Sequence, residues 1–146
     1  MNLFNFTLAE DNIAVQLSGQ YIDLHNNFDF VEVVSRDDEV SFKWRRSEGH
    51  WVAPSLPKFF TISIVGVDYY EVRGRPSDSL DEVGFFAAET LGNVDYNGRT
   101  APIESSDILI FRFVGGAEIA VRGQSAVASL APFDFSSRGR LRTPKK

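Results

Sequence analysis

Residues 109–123 read LIFRFVGGAEIAVRG, two apolar runs joined by a pair of glycines. The length of the connecting loop fixes which side chains face each other across the two strands. A two-residue Gly115-Gly116 turn sets Phe113 against Glu118 and Arg112 against Ile119, which mixes charge into both faces. A three-residue loop of Val114, Gly115 and Gly116, with Gly116 left-handed as a bulged hairpin requires, pairs Phe113 with Ala117, Phe111 with Ile119 and Leu109 with Val121. One face is then wholly apolar. The other sets Arg112 opposite Glu118, a cross-strand pair worth about 0.2–1 kcal/mol. The bulged register is expected, in a hairpin at the centre of the core, with Arg112 and Glu118 as a surface pair.

Strand signals continue outward from this hairpin. NIAVQLSG alternates Ile13, Val15 and Leu17 against Ala14 and Gln16, and EVSFKWRR alternates Val40, Phe42 and Trp44 against Ser41, Lys43 and Arg45. In FDFVEVVSRDDE the apolar set changes parity between Phe30 and Val31, which predicts a bulge there, and Asp37-Asp38 closes a hairpin onto the following strand. FFTISIVGVDYYEVRG is too long for one strand, so Gly66 is the expected bend, with Phe60, Ile62 and Ile64 on the core face. One segment reads differently. In SDSLDEVGFFAAETLGN, Ser79 and Glu82 match a capping box, while Leu80, Val83, Phe86, Ala87 and Leu91 recur at helical spacing before Gly92, so a short helix is expected. Asn97-Gly98 is a hairpin-turn signal in the long loop beyond it. The fold expected is mainly β, an antiparallel sandwich or partly closed barrel with one short helix, with an α+β arrangement as the alternative.

Composition bounds the rest. At 146 residues the chain is long enough for one domain with a sizeable core. Residues 1–136 are expected to form that β-rich domain, and 137–146 a basic, disordered tail. There are 13 Phe, one Met and no Cys, which excludes disulfides, thiolate metal sites and cysteine nucleophiles. MNLFNFTLAEDN shows no basic region followed by a long apolar run, and no stretch approaches the ~18 apolar residues of a membrane span, so a soluble, cytoplasmic protein is expected. The net charge of −5 hides a split: RGRLRTPKK at the end holds five of the fifteen basic residues, leaving ten against twenty acidic ones in residues 1–137. A body at −10 repels nucleic acid and anionic membrane and attracts basic proteins.

Motifs for chemistry are sparse. The two histidines, His25 and His50, stand in DLHNN and EGHWV, neither with metal-ligand spacing; Asp23 and His25 are the best local pair, and a loop histidine is the simpler reading. SLPK, residues 55–58, has the spacing of a serine-lysine hydrolase motif, but Pro54 and Pro57 disfavour the helix that would bring Ser55 to Lys58. No glycine-rich phosphate loop and no nucleophile elbow are present. No enzyme, metal or cofactor is expected. RRSEGHWVAPSLPK, residues 45–58, is the better binding candidate, a loop combining His50, Trp51 and two arginines. Its plainer reading has Trp51 and Val52 capping one end of the core.

DYYEVRGRP (68–76), an acidic segment, and DILIFRFVGGAEIAVRGQSAVASL (107–130) together resemble small β-rich bacterial domains of unassigned function, some immunity-protein-like and found with toxin systems. The resemblance implies a cytoplasmic protein that neutralises a toxin through an acidic surface, and it carries over no functional residues. The leading expectation is a non-enzymatic domain that binds a basic protein through Asp37, Asp38 and Glu39 of the first hairpin turn, with His50 and Trp51. The rival is a β barrel or sandwich holding an apolar small molecule in an aromatic pocket. Homo-oligomerisation through an exposed strand edge is compatible with either.

Overall fold

The computed structural model of the protein describes residues 1–86 and 108–133. Among them the chain forms strands and no helix, arranged in three sheets that pack as a β sandwich, none of them closed into a barrel. The hairpin β10 (Ile108–Phe113) and β11 (Glu118–Arg122) adopts the bulged register: Leu109 faces Val121, Phe111 faces Ile119 and Arg112 faces Glu118. Phe113 N–H donates to Ala117 O at 2.9 Å and Gly116 N–H to Phe113 O at 3.0 Å. Both loop glycines have positive φ, 104° at Gly115 and 103° at Gly116, so the turn uses the second glycine's freedom as well as the first's.

This hairpin is the middle of a four-stranded sheet in the order β8-β11-β10-β9, with β8 at Tyr69–Arg73 and β9 at Leu80–Phe86. A five-stranded sheet lies against it. Its order is β1 (Asn2–Leu3), β12 (Ser125–Ser129), β7 (Phe59–Val65), β6 (Glu39–Arg46) and β5 (Phe28–Arg36). All its pairings are antiparallel except that of β1 with β12. β2 (Phe6–Leu8), β3 (Ala14–Leu17) and β4 (Gln20–Asp23) form a third sheet, whose Phe6, Val15, Leu17 and Ile22 join the same core.

The inner faces interdigitate through aromatic rings. Phe42 of β6 stacks on Phe111 of β10 with centroids 4.0 Å apart, Phe30 meets Phe113 at 4.8 Å, and Trp44 lies 5.8 Å from Phe111. Phe60, Ile62 and Ile64 of β7 are fully buried, and Gly66, at φ 66°, turns the chain out of β7 towards β8. The parity change in β5 is a bulge: pairing passes from Phe30 with Trp44 to Glu32 with Lys43, leaving Val31 without an opposite.

The expected helix is not formed over residues 80–86, which are β9. β9 itself carries a bulge, since Phe113 pairs with Leu80 and Arg112 with Glu82, skipping Asp81. The skipped residue brings Leu80 and Val83, three apart, onto the core face, and so imitates one turn of helical spacing. Glu82 is not capping a helix; it bonds Arg112, and Ser79 O accepts from Val114 N–H. The remainder of the expected helix, the Asn97-Gly98 turn and the basic tail lie outside the described residues.

On the outer face of the four-stranded sheet the register lines up Arg73, Glu118, Arg112 and Glu82, one from each strand and alternating in sign. Arg112 Nε is 2.7 Å from Glu118 Oε2 and its Nη1 is 3.0 Å from Glu82 Oε2. Burial alone would lower the Arg112 pKa, but the hydrogen bonds and charges of Glu118 and Glu82 outweigh it and raise the value.

Candidate functional site

The loop from Ser47 to Lys58 leaves β6 and returns to β7, so its base is fixed by two paired strands. Arg46 closes it. Its N–H donates to Lys58 O at 2.9 Å, and its Nη1 donates to Pro54 O at 2.8 Å and Leu56 O at 2.6 Å, which holds the far limb. Two short turns shape the interior, with Val52 N–H donating to Gly49 O and Leu56 N–H to Ala53 O. Ser47 ties the loop sideways to the preceding segment through its N–H to Asn27 O and its Oγ to Asp29 Oδ1.

Val52 is buried by this arrangement and Trp51 is not. The core-cap reading therefore holds for Val52 alone, because Trp51 remains 65% exposed. The indole is nevertheless held in place: Nε1–H donates to Asn26 O at 3.2 Å, and the ring lies so close over Gly49 that a Cβ there would fall 2.1 Å from it. The His50 ring meets it edge-on at 5.7 Å. An aromatic surface both fixed and open can take an apolar group or, through its π face, a cationic one.

Asn26 is positioned by Asp23, the one buried charged residue among those described. Asp23 Oδ1 accepts from the N–H groups of His25 and Asn26, at 3.0 and 2.9 Å, and Oδ2 accepts from Asn26 Nδ2 at 2.8 Å. Asp23 thus bonds the backbone of His25 and not its ring. The carboxylate organises a turn, and His25 Nδ1 lies 2.5 Å from Leu80 O. Among the described residues no three His, Asp or Glu side chains converge as a metal would require. SLPK lies in the loop, in no helix.

Asp37, Asp38 and Glu39 are exposed on the β5–β6 turn, where Asp37 has φ 54° and Asp38 O accepts from Val67 N–H at 2.9 Å. The structure does not bring them to Trp51. The hairpin pairs Arg36 with Glu39 at one end and Phe28 with Arg46 at the other, so the acidic turn and the Trp51 loop stand at opposite ends of an eight-residue strand, on the order of 25 Å apart.

The roles of two residues and one hollow escape the sequence reading. Asn26, which holds Trp51, and Arg46, which closes the loop, act through backbone carbonyls, and a carbonyl leaves no mark in sequence. An open hollow of about 270 Å³ also lies beside the β10–β11 loop, lined by Asp81, Arg112, Val114 and Glu118 among others. Comparison with family models, curated proteins and solved structures finds no match to this chain.

Proposed function

We propose that the protein is a non-enzymatic, immunity-like binding domain that holds a basic protein at its Trp51 end. The observation that carries this reading is an indole 65% exposed and yet fixed by Asn26 O and by contact with Gly49. A large aromatic ring that is already ordered before binding loses little entropy on contact, which is why such residues dominate interface energetics. A Lys or Arg of the partner laid on the indole gains a cation–π contact of about 0.5–2 kcal/mol. The acidic body draws such a partner in. Asp37, Asp38 and Glu39, at the far end, add to the long-range attraction and not to the contact around His50 and Trp51. An aromatic ligand pocket between the sheets has less behind it, because Phe42, Trp44, Phe60 and Phe111 occupy that space in contact with one another.

The test is affinity capture from a lysate of the source organism at low and high salt, with wild type and Trp51→Ala side by side. The reading expects one basic protein in near-stoichiometric amount, weakened by salt and lost with Trp51→Ala while the melting temperature hardly moves. Capture that survives Trp51→Ala, or an indole whose loss unfolds the domain and leaves capture intact, sinks it.

A further inference from the structure

The sheets end in strands whose outer edges are treated differently. β5 is interrupted by its bulge at Val31 and gives Phe30 N–H to Asp78 O, and β9 gives Val83 N–H to Asn12 O. β1 is two residues long. β8 pairs with β11 without a break in register, pairs with no other described strand, and carries neither proline, lysine nor bulge. Proline, lysine and bulges are among the devices that stop one sheet adding to another, and the charges β8 does carry, Glu71 and Arg73, are opposite in sign.

The hydrogen-bond phase of β8 follows from the hairpin. Phe113 N–H bonds Ala117 O, so residues 117, 119 and 121 of β11 face β10, while 118, 120 and 122 face β8; Asp68 N–H on Arg122 O agrees. The β8 partners of those three are Arg73, Glu71 and Tyr69. The backbone groups of Tyr70 and Val72 therefore point away from β11, to the edge along which no other described strand pairs.

We propose that β8 is a strand-addition site for a second copy of this chain, paired antiparallel about a two-fold axis at Val72. In that register each Val72 N–H donates to the other's carbonyl. Glu71 stands opposite the partner's Arg73, and Arg73 opposite the partner's Glu71, so the sequence EVR is its own complement. Within one strand Glu71 Oε2 already lies 3.1 Å from Arg73 Nε, so both side chains are on the same face and the pairing makes a four-charge cluster. The row of Arg73, Glu118, Arg112 and Glu82 alternates in sign, and the partner's Glu71 continues it past the edge. On the opposite face Val72, 42% exposed, meets its own copy. Two four-stranded sheets become one of eight, and the Trp51 surface takes no part in the contact.

Sedimentation velocity over a wide concentration range tests this. Wild type is expected to dimerise, and Glu71→Arg and Arg73→Glu each to weaken the dimer at least tenfold by setting like charges opposite. An equimolar mixture of the two variants restores opposite signs at both positions and is expected to give a heterodimer as tight as wild type. Val72→Pro removes an amide that points away from β11 and fixes φ at a position where an edge strand tolerates proline, so it is expected to leave the fold intact and abolish the dimer. A wild type that stays monomeric overturns the proposal, and so does a dimer indifferent to all three variants or a mixture that fails to associate.

Discussion

Arg112 joins two carboxylates on the strands either side of it, through Nε to Glu118 at 2.7 Å and through Nη1 to Glu82 at 3.0 Å. Its side chain is 20% exposed, so this surface pair makes charge-assisted hydrogen bonds in a partly dry setting. Arg112→Ala leaves Glu82 and Glu118 without that cation, and is expected to cost about 1–3 kcal/mol, more than an exposed pair would. Urea unfolding reads it as a lower midpoint at unchanged slope. A cycle with Glu118→Gln should give a coupling near 0.5–1 kcal/mol.

The central hairpin is legible in sequence because two independent patterns agree on its register: the apolar parity of Phe111 and Ile119, and the opposite charges of Arg112 and Glu118. The bulge at Val31 is legible because parity switches there. β9 is misread for the same physical reason in reverse, since the bulge at Asp81 turns strand spacing into a three-residue interval while Ser79 and Glu82 imitate a cap. The separation of the acidic turn from Trp51 was readable: a hairpin that turns at Asp37-Asp38 must carry the loop after Arg46 at its other end. Whether Trp51 is cap or surface was not. That depends on a carbonyl twenty-five residues earlier in the chain.

Phe111 is the ring on which the two sheets meet, stacked on Phe42 and close to Trp44. It is wholly inaccessible. Phe111→Ala removes these contacts and opens a cavity that rigid strands on both sides cannot close, so a loss of about 3–5 kcal/mol is expected from denaturant unfolding. Phe111→Leu, which keeps most of the volume, should cost clearly less.

The β10–β11 turn rests on backbone conformation and not on space. An added Cβ at Gly116 meets nothing within 4 Å, yet φ is 103°, a region that side-chain-bearing residues rarely adopt. Gly116→Ala is therefore expected to destabilise by about 1–2 kcal/mol through strain alone. A thermal melt checks it. A neutral or stabilising result would show that the loop reaches another turn type at no cost.

Tyr21 donates its phenol to Asp11, a contact at the surface that links β4 to the loop before β3. The hydrogen bond to the Asp11 carboxylate, with smaller help from desolvation and nearby charge, pushes the Tyr21 phenol up to about 12. The same bond holds the Asp11 carboxyl below its usual range. The signs differ. A tyrosine raised on folding contributes stability that is fully present below its unfolded value of about 10 and is lost as pH climbs through the folded one. The Asp11 contribution is present above the ordinary carboxylate range and is lost as pH falls through the lowered value. Phenolate absorbance measured on wild type and Tyr21→Phe isolates this tyrosine by difference, with a midpoint expected near 12. Asp11→Asn should bring that midpoint back towards about 10. A midpoint already near the free value in wild type would show that the two side chains do not stay bonded in solution.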